Sequence, residues 1–469
     1  MMKQLLITIA FCCCQFFTGR AQPGGGVLKI TPNGHYIQYE DGTPFFWLGD
    51  TGWELFHRLT LEEVTQYLNN RKSKGFNVIQ AVIIAELDGM KSANRYGDYP
   101  LLNDNPDQPN EKYFRLVDTV VAMAAQRGMV MALLPAWGDK VTLKYGGAGP
   151  VIFDTANAFR YGKYLGNRYR NAGNIVWVLG GDRPPQDDKD DWKPVYAALA
   201  KGLDEGAEKH FLKTFHPGGY VWESSVYLHN QPWMDFNMIQ SGHAELDQPV
   251  WKNVWRDWHL QPAKPVLDGE PCYEDHPINP WSGWTPARGY FRDYDVRRQL
   301  YRSVFAGGFG VTYGHHSVWQ FYSAAVEKLN HADRYWYEAL DRPAAFQAGY
   351  LKKLILSRPS LNRIPDSSLV AGGQGTANAA YIAAFRDGDG SYAMLYLPAG
   401  KKIEINTAFL KGKKVKAWWF NPRTGKAENG FLFKAAATHW CTPPSTGKGN
   451  DWVLVLDDAA KKYPEPGSE

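Results

Sequence analysis

Two acidic residues, Asp182 and Glu270, end apolar runs of the same design. The first run is NIVWVLGGD (174–182) and the second is PVLDGE (265–270), and proline follows each acid within two residues. Glycine before the acid lets a substrate or a neighbouring backbone approach closely. Two such carboxyl groups facing one pocket suit cleavage of a glycosidic acetal, because one protonates the leaving oxygen while the other attacks carbon or activates water. We therefore expect Asp182 and Glu270 to be the catalytic pair.

Each acid also has a structural explanation. Asp182 precedes Arg183 and could form a loop salt bridge or cap a helix, and Glu270 could cap a turn. Asp268 would point to the opposite face of a regular strand from Glu270, so we expect it to be structural. The catalytic interpretation depends on a fold that brings the ends of the two runs together.

A barrel of parallel strands would bring these ends together. Continuous apolar runs alternate along the chain with helical patterns, which is typical of a parallel sheet covered by helices. Eight such units predict an α/β fold of the (β/α)8 TIM-barrel type. An open doubly wound sheet is the alternative, and the absence of a G-x-G-x-x-G turn after the first run disfavours it. The eight runs start at residues 45, 77, 129, 174, 211, 236, 265 and 308.

The N-terminus has the pattern of a secretory signal. Lys3 precedes the apolar stretch 5–17, and the small residues before Gln22 predict cleavage after Ala21. The stretch is shorter than the roughly 20 apolar residues of a membrane span. We therefore expect export to the periplasm or cell surface of a Gram-negative bacterium.

Past residue 362 the pattern changes to short strands joined by turn residues. Residues 380–398, 413–426 and 451–458 are examples, and they predict an antiparallel β-sandwich. The sequence DGDGS (387–391) resembles the start of a calcium loop, but Pro398 stands where that loop needs an acid, so a hairpin turn is expected. The predicted division is a signal peptide at 1–21, a catalytic barrel at 22–362, a β-sandwich at 363–460 and a tail at 461–469.

Further polar and aromatic residues lie where the predicted strands end. In barrels of this type the reactive groups come from the carboxyl ends of the strands. Side chains there could hydrogen-bond to sugar hydroxyls, stack on sugar rings or support a carboxylate, and core packing is the alternative for each. The histidines lack H-x-x-x-H spacing, so no metal site is predicted. The candidates for substrate binding are Asp50, Trp53, Trp137, His216, His243, Tyr313, His315, His316 and Trp319.

Composition narrows the function further. The 469 residues carry a formal charge of +4 and form no Lys/Arg stripe, which disfavours nucleic acid as a partner. The chain contains 18 Trp, 26 Tyr and 23 Phe, which suit a sugar-binding cleft as well as a large core. No serine-hydrolase elbow, zinc-protease helix or phosphate loop occurs, so no cofactor is expected. We expect a monomer that binds an oligo- or polysaccharide, in which Cys272 and Cys441 are either bridged or free.

Four segments of the chain resemble one family of barrel proteins. They are GTPFFWLGDTGWELFHRLT (42–60), RKSKGFNVIQ (71–80), NIVWVLGGD (174–182) and PVLDGEPCYE (265–274). They resemble the apiosidase-like proteins of glycoside hydrolase family 140, and the resemblance extends to a C-terminal domain of the collagen-binding type. It implies an exported bacterial enzyme that cuts an apiosyl–galacturonic acid linkage in the pectin rhamnogalacturonan II.

The resemblance also implies roles for the two acids. Acids on strands four and seven are similar to those of the large clan of retaining barrel glycosidases, which makes Asp182 the acid/base and Glu270 the nucleophile. The chain departs from that clan in carrying Gly181-Asp182 where Asn-Glu is usual. A glycosidase of another plant or host glycan and a non-catalytic glycan-binding protein are the alternatives, and the latter needs no facing pair of carboxyl groups.

Overall fold

The computed structural model of the chain describes residues 26–468, with the exception of residues 219–220, 282 and 376–377. The predicted signal peptide lies outside these residues. Among the residues described, no helix combines the length and the apolar character needed to cross a membrane.

A three-stranded antiparallel sheet precedes the barrel. The predicted hairpin turn at residues 32–34 joins its first two strands. The expected single strand at 44–50 is two strands, because Phe45 pairs within this sheet and a separate barrel strand starts at Trp47. The side chains of Phe45 and Trp47 both pack into the buried cluster inside the barrel. The backbone therefore changes from pairing in the small sheet to pairing in the barrel at Phe46. The strands are β1 (Leu28–Ile30), β2 (Ile37–Tyr39) and β3 (Pro44–Phe45).

Eight parallel strands form a nearly closed sheet, which confirms the predicted (β/α)8 barrel. They are β4 (Trp47–Thr51), β5 (Val78–Ile84), β6 (Val130–Ala136), β7 (Ile175–Gly180), β8 (Lys213–His216), β9 (Asn237–Ile239), β10 (Val266–Asp268) and β11 (Gly310–Tyr313). Their order in the sheet is β8-β7-β6-β5-β4-β11-β10-β9. The edge strands β8 and β9 lie side by side where the Asp235 N–H donates to the Lys213 carbonyl oxygen (2.9 Å).

Helices surround the barrel strands. The second helix starts at a capping box in which the Glu63 N–H donates to the Thr60 hydroxyl (3.3 Å) and the Thr60 N–H donates to the Glu63 carboxylate (2.8 Å). The helices are α1 (Leu55–Arg58), α2 (Leu61–Ser73), α3 (Glu111–Gln126), α4 (Thr155–Tyr169), α5 (Lys193–Ala207), α6 (Ser225–Leu228), α7 (Val250–Trp258), α8 (Asp293–Phe305), α9 (His316–Trp319), α10 (Trp336–Ala339) and α11 (Pro343–Leu356).

Helices α4 and α5 precede and follow the strand that leads to Asp182, and they touch through glycines. A Cβ atom on Gly166 would lie 2.1 Å from the carbonyl oxygen of Leu203. One on Gly202 would lie 2.1 Å from the carbonyl oxygen of Phe159. Backbone contact this close leaves no room for a side chain, so these glycines set the distance between the two helices that support β7.

The C-terminal domain consists of two antiparallel sheets. One has the order β12-β13-β14-β19-β16-β17 and the other pairs β15 with β18, and side chains such as Ile405 and Leu454 from the two sheets share one buried cluster. The DGDGS segment forms the predicted turn between β13 and β14. The strands are β12 (Arg363–Pro365), β13 (Ala383–Asp387), β14 (Tyr392–Leu397), β15 (Ile403–Asn406), β16 (Lys414–Asn421), β17 (Lys426–Lys434), β18 (Thr438–Cys441) and β19 (Trp452–Asp458).

The two domains share a buried interface on α8. Arg297 donates from Nε and Nη2 to the two carboxylate oxygens of Asp451 (2.9 and 2.8 Å). Tyr301 stacks on Tyr396 with 4.9 Å between the ring centroids. A bidentate ion pair beside stacked rings defines the orientation of the sandwich against the barrel.

The tail and the cysteines complete the fold. The tail returns to the sandwich, where the hydroxyl groups of Tyr463 and Ser391 share a hydrogen bond (2.9 Å). Cys272 and Cys441 are free thiols, and both are buried.

We expect Gly166→Ala to reduce the free energy of unfolding by about 1–3 kcal/mol, because the added methyl group overpacks a backbone contact. Gly173→Ala is the matched control, since Gly173 is exposed and no atom lies within 4 Å of its Cβ position. Urea denaturation of the three proteins measures the difference. Equal stability of Gly166→Ala and wild type would contradict the close helix contact.

Candidate active site

The turn after β7 presents Asp182 at the barrel mouth. Gly180, Gly181 and Asp182 have positive φ angles of 85°, 125° and 50°. A Cβ atom on Gly181 would lie 2.6 Å from the ring of Trp137, and one on Gly180 would lie 2.6 Å from the His216 carbonyl oxygen. Glycine is therefore required at both positions. The Gly-Gly-Asp sequence follows from the tight packing of this turn.

Two histidines hold the carboxylate of Glu270. The Nε2 of His216 donates to Oε2 (3.0 Å), and the Nε2 of His243 donates to Oε1 (3.1 Å). The Nδ1 of His243 accepts the Tyr273 N–H (3.3 Å), so the imidazole must carry its proton on Nε2. Glu270 thus receives one hydrogen bond on each oxygen.

His216 lies between the two acids. Its Nδ1 is 3.9 Å from Oδ1 of Asp182, while its Nε2 bonds to Glu270. One oxygen of Asp182 and one of Glu270 lie within 4.8 Å of each other. The side chain of Gln240 donates from Nε2 to Oδ1 of Asp182 (2.7 Å). The structure therefore brings the predicted pair together at one mouth.

The surroundings move the pKa values of the two acids apart. Burial raises the pKa of Asp182, and the negative charge of Glu270 raises it further. Burial would also raise the pKa of Glu270, but hydrogen bonds from His216 and His243 and the positive charge that His216 can carry hold it well below its usual range. When the pair holds a single proton, these surroundings favour that proton on Asp182 and the negative charge on Glu270.

Trp53 and Trp137 form the floor beneath His216. Both are buried, with 2% and 1% of their surface exposed. Their ring centroids lie 5.3 and 5.6 Å from that of the imidazole, and Trp53 Nε1 donates to the Tyr273 hydroxyl (3.2 Å). Contrary to expectation, these rings offer no face to a sugar, because they pack on the histidine and hold it in place.

Asp50 does not line the mouth, contrary to expectation. Its buried carboxylate accepts hydrogen bonds from the Tyr67 hydroxyl (2.5 Å) and from Arg71 Nε (2.6 Å), both on α2. Adjacent strand residues point to opposite faces, and the preceding Gly49 faces inward against Thr312. Asp50 therefore points outward and ties α2 to β4.

Tyr313 and His315 likewise make supporting contacts and do not line the mouth. The Tyr313 hydroxyl donates to Glu274 Oε2 (2.8 Å), and His315 Nε2 donates to Asp275 Oδ2 (3.2 Å). All four residues are buried. Since Glu274 and Asp275 follow Glu270 closely along the chain, these pairs anchor the loop that carries the second acid.

His316 connects to the site through another histidine. The ring of His276 stacks on His243 (4.1 Å) and meets His316 edge-on (4.5 Å). Trp319 Nε1 donates to His316 Nδ1 (3.4 Å), and His316 Nε2 donates to the Asn330 carbonyl oxygen (2.8 Å). Burial lowers the pKa of His316 to about 3, so the ring is neutral. His316 and Trp319 therefore stabilise a row of rings that packs against His243.

A cavity of about 460 Å³ opens beside the acid pair. Asp182, Gln240 and His243 lie in its wall together with Trp222 and Trp281. This volume lies within the usual range of ligand pockets, roughly 300–1,000 Å³. The cavity gives a ligand access to the carboxyl group of Asp182.

In the part of the chain that the structure describes, two side-chain clusters have cation-binding geometry: Glu54 with His57 and Asp88, and Asp182 with His216 and Glu270. In one of them, the Arg58 guanidinium already lies 3.5 Å from Glu54 and 3.3 Å from Asp88. In the other, the ring N–H of His216 already donates to the Glu270 carboxylate. Both clusters thus have internal partners for their acids. The ligand atoms of Glu54, His57 and Asp88 lie within 4.8 Å of one another, as do those of Asp182, His216 and Glu270.

Comparison with known protein families agrees with this geometry. The family model described as "Apiosidase-like, catalytic domain" matches residues 31–362. This chain belongs to the apiosidase-like family. A second model, described as "Putative collagen-binding domain of a collagenase", matches residues 364–457. The two matches meet where the barrel of this apiosidase-like protein passes into the sandwich.

Solved structures of glycoside hydrolases share the whole architecture of the apiosidase-like protein. A glycoside hydrolase family 5 structure from Bacteroides vulgatus ATCC 8482 is 33% identical over 94% of this chain and 95% of its own, with a TM-score of 0.85. A second structure, described as a glycoside hydrolase, is 35% identical over 94% of this chain and 98% of its own, with a TM-score of 0.85. The curated proteins contain no match. Because the two solved structures are glycoside hydrolases that match nearly the whole chain, the apiosidase-like chain is a glycoside hydrolase as well.

The sequence reasoning missed Glu86, which lies two residues beyond β5 in the apiosidase-like barrel. Burial raises the pKa of Glu86 well above its usual range, and the nearby charges of Asp182 and Glu54 raise it further. No residue in the described part of the chain hydrogen-bonds to its carboxyl group. Applying the strand-end rule to the second barrel strand would have found Glu86. Applied to β9, the same rule would have found Gln240, which the sequence analysis also does not name.

We expect Glu86→Gln to stabilise the protein more at pH 8 than at pH 4. The pKa of an unfolded Glu is about 4.3, and the folded pKa is higher, so the stability of the wild type falls as pH rises between the two values. The amide removes this loss, so the stability of Glu86→Gln relative to the wild type should increase as the pH rises from 4 to 8.

Thermal and urea unfolding at both pH values measure this gain in stability. Glu40→Gln, at an exposed site without an ion pair among the described residues, is the control and should show no such pH dependence. A stability difference between Glu86→Gln and wild type that is the same at pH 4 and pH 8 would contradict the burial of the charge.

Proposed function

We propose that this chain is an exported, retaining glycosidase in which Glu270 is the nucleophile and Asp182 is the acid/base. Glu270 attacks the anomeric carbon while the proton of Asp182 passes to the leaving oxygen, so the glycosidic bond breaks and a glycosyl–enzyme ester forms. Asp182, now ionised, takes a proton from water as the water attacks the same carbon and releases Glu270. The observation that carries this proposal is the position of His216 between the two acids, 3.0 Å from Glu270 and 3.9 Å from Asp182, with an oxygen of each acid within 4.8 Å of the other.

The spacing of the acids supports retention of configuration. Retaining enzymes hold the carboxyl groups roughly 5–5.5 Å apart and inverting enzymes roughly 6.5–9.5 Å, because inversion needs room for a water molecule. The nearest oxygens of Asp182 and Glu270 lie within 4.8 Å. A direct attack by Glu270 fits this gap better than an attack by an interposed water.

The substrate we propose is a plant cell-wall polysaccharide, with the apiosyl–galacturonic acid linkage of rhamnogalacturonan II as the bond that is cut. The match of residues 31–362 to the apiosidase-like model and the resemblance to glycoside hydrolase family 140 support this choice. Export to the periplasm or cell surface, on the signal at residues 1–21, would bring the enzyme to such a polymer. Product analysis on rhamnogalacturonan II fragments tests the linkage.

We expect Glu270→Gln to lower kcat/KM by more than about a thousandfold, because an amide cannot form the glycosyl ester. Asp182→Asn should lose about 10²–10⁴-fold, the usual contribution of a general acid. Kinetics on rhamnogalacturonan II fragments measure both changes. Glu245→Gln, an exposed acid next to the cleft, is the control and should keep wild-type turnover. Near-normal activity of Glu270→Gln would remove the nucleophile assignment.

Azide should separate the two roles. With azide present, Glu270→Ala is expected to form a glycosyl azide of inverted configuration, since the anion occupies the space of the nucleophile. Asp182→Ala should form the azide of retained configuration, because the ester intermediate still forms and azide needs no base. Proton NMR of the products distinguishes them. Inverted product from the wild type on its natural linkage would contradict the retaining mechanism.

A further inference from the structure

Three aromatic side chains line one side of the cavity beside Asp182. Tyr145, Trp222 and Trp281 come from three different loops at the barrel mouth, and we name them the aromatic wall. Trp281 is 48% exposed and Tyr145 is 46% exposed, whereas the predicted stacking residues Trp53 and Trp137 are buried. Among the described residues that line the cavity, the large aromatic faces therefore belong to the wall.

The backbone of the wall is tied to the catalytic pair. The carbonyl oxygen of Trp222 accepts the N–H of Gln240 (2.8 Å), and the Gln240 side chain donates to Asp182 (2.7 Å). Two residues before Trp281, the N–H of Asn279 donates to the His243 carbonyl oxygen (2.9 Å). These bonds hold the wall at a defined position relative to both acids, as a substrate subsite requires.

The position of Asp182 shows which part of a substrate would meet the wall. Asp182 lines the same cavity as the wall, whereas Glu270 does not. A general acid stands on the side of the leaving oxygen and a nucleophile stands below the sugar that becomes the ester. The wall is therefore on the leaving-group side of the bond that is cut.

Charge contributes little to recognition at this wall. Arg183 is the one cation among the described residues that line the cavity. Its guanidinium donates from Nε to the Gly146 carbonyl oxygen (3.0 Å) and from Nη1 to that of Asp182 (2.7 Å). The wall thus presents aromatic faces, which bind the apolar faces of rings. The guanidinium of Arg183 beside it is engaged in holding the backbone.

We propose that the aromatic wall is a leaving-group subsite that binds the pyranose rings of an oligosaccharide by stacking. The placement on the leaving-group side rests on the proposed function, while saccharide binding by the wall does not. The enzyme would then recognise the oligosaccharide that leaves as well as the sugar that is cleaved from that oligosaccharide.

Binding to the inactive Glu270→Gln protein tests the stacking. A panel of pectic and non-pectic oligosaccharides, including rhamnogalacturonan II fragments, is titrated by calorimetry. Adding Trp281→Ala should weaken binding of the preferred oligosaccharide roughly tenfold, as loss of an interface aromatic does, and Trp281→Phe should restore most of it. Trp284→Ala is the matched control, because Trp284 is 59% exposed on the same loop and does not line the cavity.

Turnover tests the side of the bond. With Glu270 intact, Trp281→Ala should raise KM for the oligosaccharide about tenfold and leave hydrolysis of the matching glycosyl fluoride unchanged, because fluoride is too small to reach the wall. Equal losses on both substrates would overturn the leaving-group placement. Oligosaccharide binding that Trp281→Ala leaves unchanged, or no binding across the panel, would overturn the wall as a subsite. Binding that depends on Trp281 without cleavage by the wild type would overturn the proposed reaction and leave the wall standing.

Discussion

Two carboxyl groups in one buried mouth cannot both carry a charge at low cost, and the site of this protein is built around that constraint. Glu270 takes the negative charge because His216 and His243 each donate a hydrogen bond to it. Desolvation and the negative charge of Glu270 raise the pKa of Asp182, which favours the proton on Asp182 over Glu270. The difference between the two acids therefore comes from their partners, since the two side chains have nearly the same chemistry in water.

Much of the surrounding structure holds those partners. Trp53 and Trp137 pack on His216, and His276 packs on His243. Buried tryptophans in a barrel mouth have a clear function here, because an imidazole that turned would release one oxygen of Glu270. The glycine turn before Asp182 packs against the same floor, so both acids are positioned by a single set of rings.

The C-terminal sandwich is connected to the site through α8. Arg297 on this helix pairs with Asp451 of the sandwich. Two residues further along the same helix, the side-chain oxygen of Gln299 accepts the N–H of Cys272 (2.7 Å), and Cys272 lies two residues after Glu270. The interface between the domains thus lies one helix away from the loop that carries Glu270.

The sequence by itself determined the barrel and the two acids. Eight apolar runs with helical crossovers require a covered parallel sheet, and Asp182 and Glu270 each follow glycine at the end of such a run. Only the tertiary structure decided the rest. Asp50 points outward, because neighbouring strand residues alternate and the register of the strand sets the phase. The aromatic wall was missed because loop positions have no periodicity to read, whereas Glu86 lies just beyond the end of β5, where the strand-end rule applies. The separation of the two pKa values arises only in the folded chain, because it depends on desolvation and on imidazoles that come from distant strands.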